Sequence, residues 1–404
     1  MKNTSPYRSR KAAHGREGQV ATTTPAPKRY QLIILGVDAH GAQNTFARKI
    51  DNLGLQPPQQ LAPHKFLEFL RKQVAQAQRV VMVYEAGPYG FALYRQATQL
   101  GVECLVCAPE RLNRGRNCVH DKIDARELLS RLDRHLAGNS AALRLVRPPT
   151  LEQELLRRQS RERGTYLKER RRWLSRGRSL LHSMGIMRPG RWWDPQRRAQ
   201  LLEQVREHYG QAAHDQVGQE LDHDLEVLEM MTRKLEELTA ALCAQPAPKA
   251  KSTAKPKDQA QDPEKAPPLS TPRIKGIGVL SGALLDREMV DWNRFSNRRQ
   301  VASYTGLCPG ESSSGQSQMH LAIDKHGNPR VRAVLTELVW LLPMHQPGYI
   351  RLKRWQGVLG KGGKAGKALR KKAVVALARQ LAVDLWRLKT GRTTPEKMGL
   401  KVAA

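Results

Sequence analysis

The sequence predicts a mixed fold, in which an α/β domain is followed by helical segments. Between residues 30 and 150, short apolar runs alternate with helical patterns, and this alternation is typical of an α/β layer domain. From residue 151 to about 245 the pattern is helical throughout. A compact helical domain is predicted over residues 273–356, where the stretch VRAVLTELVWLL is apolar enough to form a core.

Three apolar runs are the predicted strands of the α/β domain: YQLIILGVDA, RVVMVYEA and VECLVCA. Helices are predicted between them, over APHKFLEFLRKQVAQA and PYGFALYRQATQL. Cys104 and Cys107 form a CxxC pair within the third strand. Because no second cysteine pair or histidine pair completes a zinc site, we predict that both cysteines are buried in the core.

Four carboxylates stand at the ends of these elements. Asp38 and Glu85 close the first two strands, while Asp121 and Asp124 begin a helical pattern three residues apart, on one face. An ionised carboxylate beside a core is costly without a partner. Neighbouring strands bring their ends together, so the four acids predict a site for Mg²⁺ or Mn²⁺, which prefer oxygen ligands. Each acid also has a structural interpretation, since Asp121 or Asp124 can cap a helix and Asp38 can begin a turn before AHGAQ.

The helical region over residues 151–245 has a basic stretch and a leucine repeat. The segment from Arg157 to Arg178 holds ten basic residues and two acidic ones. Such a one-signed run repels itself, which favours contact with phosphate over a merely solvated face. A heptad spacing typical of a coiled-coil seam occurs at Leu221, Leu228, Leu235 and Leu242. Thr232 and Thr239 weaken the intervening positions, and the spacing fits packing within the chain as well as self-association.

Three further segments flank or join these regions. Residues 1–29 are polar and basic and are predicted to be a disordered arm. Residues 246–272 are rich in proline, alanine and charge and are predicted to be a flexible linker. Residues 357–404 are predicted to be a basic C-terminal helix and tail, with 12 basic and two acidic residues that favour contact with a phosphate backbone.

The chain of 404 residues carries a large positive charge, because 69 Lys and Arg outnumber 37 Asp and Glu to give +32. An excess of this size implies a polyanionic partner, and we predict nucleic acid rather than a ribosomal-type or membrane-surface role. The residues predicted to bind it are Arg157, Arg158, Arg161, Arg170, Arg171, Arg172, Lys325, Arg330, Lys371 and Lys372.

The sequence also bears on location. No apolar run approaches the roughly 20 residues needed to span a bilayer, and no signal-peptide stretch follows the basic amino terminus. Five scattered cysteines suit a reducing compartment. We therefore expect a cytoplasmic protein with no membrane segment.

Two motifs fall within residues 273–356. The stretch IKGIGVLSGALL resembles a helix-hairpin-helix turn, in which Gly276 and Gly278 would let backbone N–H groups approach a phosphate. The stretch GLCPGESSSGQSQMHLAIDKHGNPRVR is predicted, from residue types alone, to be a flexible solvated loop. Its serine hydroxyls would be poor nucleophiles at neutral pH without a base or a metal ion to activate them.

Taken together, these motifs resemble the insertion sequence 110 family of DEDD transposases, the bridge-RNA-guided recombinases. The resemblance lies in the order of GVDAH, YEAGPYGFALYRQATQLG, DKIDARELLSRL, IKGIGVLSGALL, FSNRRQVASYTGLCPGESSSG, IDKHGNPRVRAVLTELVW and RKKAVVALARQLAVDLWRL. It covers most of the chain, and the joint occurrence of the motifs in this order is what makes it specific.

The resemblance implies a RuvC-like, RNase H-type domain over residues 30–150 with Asp38, Glu85, Asp121 and Asp124 as its metal ligands. It also implies a C-terminal transposase domain in which Ser314 attacks DNA and forms a phosphoserine link, with Ser313 as the alternative if the register of the Ser312–Ser314 run is shifted. The implied partners are DNA, a structured guide RNA and further copies of the chain, as a dimer or tetramer whose assembly the coiled-coil segment would assist. A bacterial protein associated with the nucleoid is the expected setting.

Two other functions stay open from the sequence. One is a RuvC-like metal-dependent nuclease that hydrolyses DNA junctions with water, leaving Ser314 structural. The other is a non-enzymatic nucleic-acid-binding protein whose acids are helix caps and ion pairs.

Overall fold

A computed structural model describes residues 29–109, 121–244 and 273–403, except for 315, 316, 361, 363, 364 and the side chains of 311–321. The predicted arm at the amino terminus and the predicted linker at 246–272 lie outside the described residues, apart from Arg29. The chain divides into two compact units, Met1–Pro148 and Pro149–Ala404. Within the described ranges, none of the helices is long and apolar enough to cross a membrane.

The first unit is built on a five-stranded mixed sheet with the strand order β3-β2-β1-β4-β5. Strands β1, β4 and β5 run parallel, whereas β2 pairs antiparallel with β1 and β3 pairs antiparallel with β2. In chain order the elements are β1 (Tyr30–Ala39), β2 (Asn44–Ile50), β3 (Gln59–Leu61), α1 (Pro63–Gln76), β4 (Ala77–Glu85), α2 (Ala92–Gln99), β5 (Glu103–Cys107), α3 (Asp121–Leu136) and a 3₁₀ turn (Ser140–Ala142).

Both faces of the sheet are buried. Ile33, Leu35 and Val37 of β1 belong to one core, which is shared with α1 and α2. Ile34 of β1 faces the other core, which includes the α3 leucines such as Leu132. Burial on both faces explains why the central strands are continuous apolar runs rather than alternating ones.

The structure confirms the three predicted strands and the two predicted helices between them, with shifts of a few residues at their ends. Cys104 and Cys107 are buried, as predicted, and burial raises the pKa of Cys104 to about 12. Strands β2 and β3 were not predicted. Their sequences are polar for strands, and β2 carries two buried polar residues, Asn44 and Thr45.

The second unit begins with three helices: α4 (Leu151–Ser183), α5 (Pro195–Tyr209) and α6 (Gln211–Ala244). A capping box starts α4, because Thr150 accepts from the backbone N–H of Gln153 while the Gln153 side chain accepts from the N–H of Thr150. Asp194 caps α5, with Pro195 at its first position. Helix α6 packs against both α4 and α5.

The predicted leucine seam lies inside the unit, along α6. All four of its leucines are buried, Leu221, Leu228, Leu235 and Leu242. Helix α4 packs along α6. Its residues Arg163, Arg170 and Arg176 contact Thr239, Thr232 and Asp224 of α6, in that order, so the two helices run antiparallel. The seam is therefore satisfied by packing within the chain.

The rest of the second unit forms one further hydrophobic core, drawn from residues between Ile274 and Leu400. Its elements are α7 (Val279–Met289), a 3₁₀ turn (Trp292–Arg294), α8 (Arg298–Thr305), β6 (Pro309–Ser314), β7 (Ser317–Ile323), α9 (Pro329–His345), α10 (Ile350–Lys353), α11 (Gln356–Leu359), α12 (Lys367–Lys389) and a 3₁₀ turn (Glu396–Met398). The basic start of α12 is exposed, but its second half is buried and packs against α8 and α9. Helix α12 is thus a central part of this core and not only a basic surface helix.

One local prediction is wrong in this unit, and another is tested only in part. The serine-rich stretch is not an irregular loop, since β6 and β7 pair antiparallel with Ser312 opposite Met319 and Ser314 opposite Ser317. Between residue 273, where the described chain resumes, and Gly278 there is no helix. Ile274 forms a β-bridge with Val402, and a turn follows in which Gly276 has a positive φ of 88°. The second helix of the predicted helix-hairpin-helix is therefore present as α7, whereas the place of a first helix, before residue 273, lies outside the described residues.

Two buried polar groups hold the elements of this core together. Glu288 accepts two hydrogen bonds from Arg161 of α4, both at 3.1 Å, and one from Asn328 Nδ2 at 2.9 Å. Its backbone carbonyl accepts from the Tyr304 hydroxyl at 2.7 Å. Gln346, which is fully buried, donates to two backbone carbonyls and accepts from one backbone N–H, and so joins the segments that begin and end the core.

Candidate functional site

The candidate site lies at the edge of the sheet where the parallel strands end. Asp38 is the next-to-last residue of β1, and Glu85 is the last residue of β4. The two strands are parallel neighbours with Val37 opposite Tyr84, so the two carboxylates follow adjacent positions at the same edge. This is the position at which α/β sheets place their functional groups.

A glycine allows the third element to reach this edge. A side chain at Gly36 of β1 would bring a Cβ within 2.8 Å of the Cα of Leu129, and still closer to the backbone of Ala125 and Leu129 in α3. Because glycine has no Cβ, α3 packs directly on the strand. Asp121 begins α3 one turn before Ala125, and so it comes beside Asp38.

Three side chains converge there: Asp38, His40 and Asp121 have one ligand atom each within 4.8 Å of one another. Asp38 Oδ2 lies 3.2 Å from His40 Nε2. His40 is at the start of the turn between β1 and β2, where its backbone N–H donates to the carbonyl of Gln43. Asp38 and Asp121 are half-buried, and His40 is exposed, so the cluster opens to solvent.

The electrostatics of the cluster agree with this geometry. Burial raises the pKa of Asp38, His40 lowers it, and the neighbouring charges of Asp121 and Asp124 raise it further, for a net upward shift. Asp124 is thus close enough to act on Asp38, although the three converging side chains do not include it. Glu85 shares the sheet edge but also stands outside that trio.

The donor set fits a hard divalent cation. Carboxylate oxygens are the preferred ligands of Mg²⁺ and Mn²⁺, and the remaining positions can hold water or substrate phosphate. A cation would also offset the burial and the repulsion from Asp121 and Asp124 that raise the pKa of Asp38. The sequence prediction missed His40, even though its position two residues after Asp38, immediately beyond the strand, was a usable signal.

The proposed nucleophile lies in the second unit. Ser314 is the last residue of β6, and its backbone pairs with Ser317 of β7. Its side chain, like those of Ser312 and Ser313, lies outside the described part of the structure.

Comparison with known proteins identifies the family. The model of the "Transposase IS116/IS110/IS902 family" matches residues 272–353. The protein described as "putative transposase y4rJ" of Sinorhizobium fredii is 35% identical over 336 residues, which are 80% of this chain and 81% of that protein. The chain belongs to the IS116/IS110/IS902 family of transposases.

Two further relatives carry the same kind of description. "Putative transposase y4qE" of Sinorhizobium fredii is 29% identical over 67% of this chain and 60% of its own length. The transposase for insertion sequence element IS1111A of Coxiella burnetii is 29% identical over 30% of this chain and 32% of its own length. As a transposase, the protein acts on DNA and cuts and joins it.

The basic run of α4 divides into two groups in this transposase. Some of its arginines bond within the protein: Arg161 pairs with Glu288, and Arg170 Nε donates to the Thr232 hydroxyl at 3.0 Å. Arg157 is half-buried near Glu288, and burial lowers its pKa. The predicted residues that are exposed on α4 are Arg158, Arg171 and Arg172.

The other predicted nucleic-acid contacts of the transposase lie on exposed positions of the C-terminal core. Lys371 and Lys372 are in the exposed first turns of α12. Lys325 is exposed in the turn between β7 and α9, with a positive φ of 59°. Arg330 is exposed at the start of α9, where its Nε lies 3.9 Å from Glu288. Positions of this kind are accessible to a phosphate backbone.

Proposed function

We propose that this transposase cuts and rejoins DNA by means of a metal-binding acidic site and a serine nucleophile. Asp38, Asp121, Asp124 and Glu85 hold Mg²⁺ or Mn²⁺ in this proposal, and His40 assists them. The observation that carries it is the convergence of Asp38, His40 and Asp121 within 4.8 Å, at the edge where the parallel strands of the sheet end, in a transposase.

The carboxylates position the scissile phosphate group, and a bound divalent cation would supply charge stabilisation for the phosphoryl oxygens. The Ser314 hydroxyl attacks the phosphorus atom and forms an Oγ–P ester, while one P–O bond of the DNA backbone breaks. The serine proton ends on the released DNA hydroxyl. Rejoining is the reverse reaction with a hydroxyl of another DNA end, so the sequence of steps needs no oxidant, reductant or nucleotide.

The proposal includes a structured RNA as guide and a multimer as the working form. The net charge of +32 supports a polyanionic partner, and both DNA and RNA are polyanions. The resemblance of the ordered motifs to bridge-RNA-guided recombinases supports the guide and the assembly of several copies.

The test of the nucleophile uses the serine run itself. Ser314→Ala should abolish strand exchange and the covalent protein–DNA adduct seen on denaturing gels, while Ser312→Ala and Ser313→Ala serve as matched controls. Full recombination by Ser314→Ala would refute the assignment to this residue. An adduct lost only in Ser313→Ala would move the nucleophile by one position.

The test of the metal site uses Asp38→Asn, which keeps size and removes charge. This variant should retain DNA binding and lose Mg²⁺-dependent cleavage, and it should bind Mn²⁺ more weakly in metal titrations. Cleavage and Mn²⁺ affinity equal to those of the unmodified protein would refute the proposed site.

A second candidate function is a metal-dependent nuclease in which water replaces the serine. It is favoured by one observation: Asp38, His40 and Asp121 all belong to the first unit and need no group from the second to converge. Under this alternative, Ser314→Ala would still release cut DNA at the normal rate without any adduct.

A further inference from the structure

An arginine-lined cavity of about 320 Å³ lies among α8, α10 and α12 of the second unit. Its guanidinium groups come from Arg298, Arg299, Arg351, Arg379 and Arg387. None of the five is among the ten residues named individually as predicted nucleic-acid contacts, although Arg379 and Arg387 lie in the basic segment 357–404. Charges of one sign in a concave surface reinforce each other's potential, so this cavity attracts anions.

One buried carboxylate fixes two of these groups. Asp384 is fully buried and accepts hydrogen bonds from Arg351 Nε and Arg387 Nη1, both at 3.2 Å, and from the Tyr349 hydroxyl at 2.8 Å. Within the described part of the chain, three of the cavity's arginine side chains make no hydrogen bond or ion pair: Arg298, Arg299 and Arg379. Arg351 and Arg387 are therefore held in place by Asp384, while Arg298, Arg299 and Arg379 keep N–H donors available for a ligand.

A second cavity of about 260 Å³ adjoins the first and shares Arg351, Arg379 and Gln380 with it. Trp355 lines this second cavity, and the guanidinium of Arg354 lies over its ring, 5.7 Å from the centroid. Guanidinium groups bind phosphate through paired N–H donors, and an indole face stacks on a nucleobase. A base free to stack on protein is available in a single strand and not inside a duplex.

We infer that the two cavities form one binding site for a single-stranded segment of nucleic acid. The arginine cavity binds a backbone phosphodiester, and Trp355 stacks on the adjoining base. Arg351 and Arg387 build the wall, and Arg298, Arg299 and Arg379 supply the free donors. The inference rests on the proposed function for its nucleic-acid partner, but it does not depend on the acidic site or on the serine.

The test measures binding of the full-length protein to fluorescent oligonucleotides in EDTA, so that metal-dependent chemistry plays no part. Arg379→Gln and Arg299→Gln remove charge at residues that make no hydrogen bond or ion pair with the described residues. Lys397→Gln removes the same charge from an exposed residue that lines neither cavity. Each cavity variant should bind single strands roughly tenfold more weakly, since hydrogen bonds to charged groups are the stronger ones. The dependence of log affinity on log salt concentration should also fall by about 0.7 per lost contact.

The binding assay is run with three probes of one sequence: single-stranded DNA, single-stranded RNA and duplex DNA. A loss confined to DNA or to RNA single strands supports the site and identifies which strand occupies it. Trp355→Leu should weaken single-strand binding, and Trp355→Phe should restore most of it, with melting temperatures confirming that both variants fold. Losses no larger than that of Lys397→Gln, or losses seen only with duplex, would overturn the inference. Because EDTA is present, failure of the acidic site would leave these results unchanged.

Discussion

The close packing of α3 on Gly36 predicts that one added methyl group will disturb both the stability of the first unit and its acidic site. In Gly36→Ala, the new Cβ would lie within 2.8 Å of Leu129 Cα, whereas ordinary contact begins at 3.4 Å. The strand and helix must separate by roughly 0.6 Å at this atom, and by more at the backbone atoms that are closer. Overpacking of this kind costs about 1–3 kcal/mol, against which alanine gains at most about 1 kcal/mol of backbone entropy.

The same displacement carries Asp121 away from Asp38, because Asp121 lies one turn before the contact. We expect the melting temperature of Gly36→Ala to fall by roughly 3–10 °C and its affinity for Mn²⁺ to fall by roughly tenfold. Circular dichroism and metal titration measure the two effects. Gly54→Ala is the matched control, because a Cβ at Gly54 meets nothing within 4 Å. If Gly36→Ala behaves like Gly54→Ala in both assays, the packing argument fails.

Three further predictions concern the buried residues Glu288 and Gln346 and the candidate metal ligand His40. The pKa of Glu288 is lowered, because hydrogen bonds from Arg161 and Asn328 outweigh the burial that would raise it. Its contribution to the free energy of unfolding is therefore present above pH 4.5 and is lost as pH falls through the lowered pKa. Glu288→Gln should remove about 3–5 kcal/mol at neutral pH and flatten the loss of stability with acid in urea melts. An unchanged dependence of stability on pH would contradict this. Gln346→Leu should destabilise the C-terminal core by about 2–4 kcal/mol, since it leaves buried backbone groups unpaired; a wild-type urea midpoint would count against this. His40→Ala should weaken Mn²⁺ binding by roughly 10–100-fold in calorimetry, and an unaltered affinity would exclude His40 from the site.

The sequence was most informative where burial alone decides the structure. Strands β1, β4 and β5 are covered on both faces, so their apolar runs predicted them well. The hairpin of β6 and β7 was missed because its serines and glycine have low strand propensity, and only pairing between the two segments makes them strands. Strand β2 was missed for a related reason, since Asn44 and Thr45 are buried although they are polar.

The candidate site also has a part that the sequence predicts and a part that only the structure reveals. The positions of Asp38 and Glu85 at strand ends were readable, because parallel neighbours end at one edge. The approach of Asp121 depends on Gly36, whose role is visible only once α3 is seen on the strand. The arginine cavity could not be predicted, since Arg298 and Arg379 are 81 positions apart in sequence and meet only through the packing of α8 on α12.

The α4–α6 pair shows why a basic run and a leucine heptad do not reveal their partners in the sequence, although the structure gives each a defined one. Thr232 and Thr239 interrupt the leucine seam, and each hydroxyl donates to the backbone carbonyl four residues earlier. Each hydroxyl also accepts a hydrogen bond from an arginine of α4, Arg170 at 3.0 Å and Arg163 at 2.7 Å.

A symmetric contact between two α6 helices would set threonine against threonine or leucine and would leave those hydroxyls without their arginine donors. The arginines that looked like a uniform phosphate-binding face thus select α4 as the partner of α6. Self-association through the buried leucines would first have to separate these two helices.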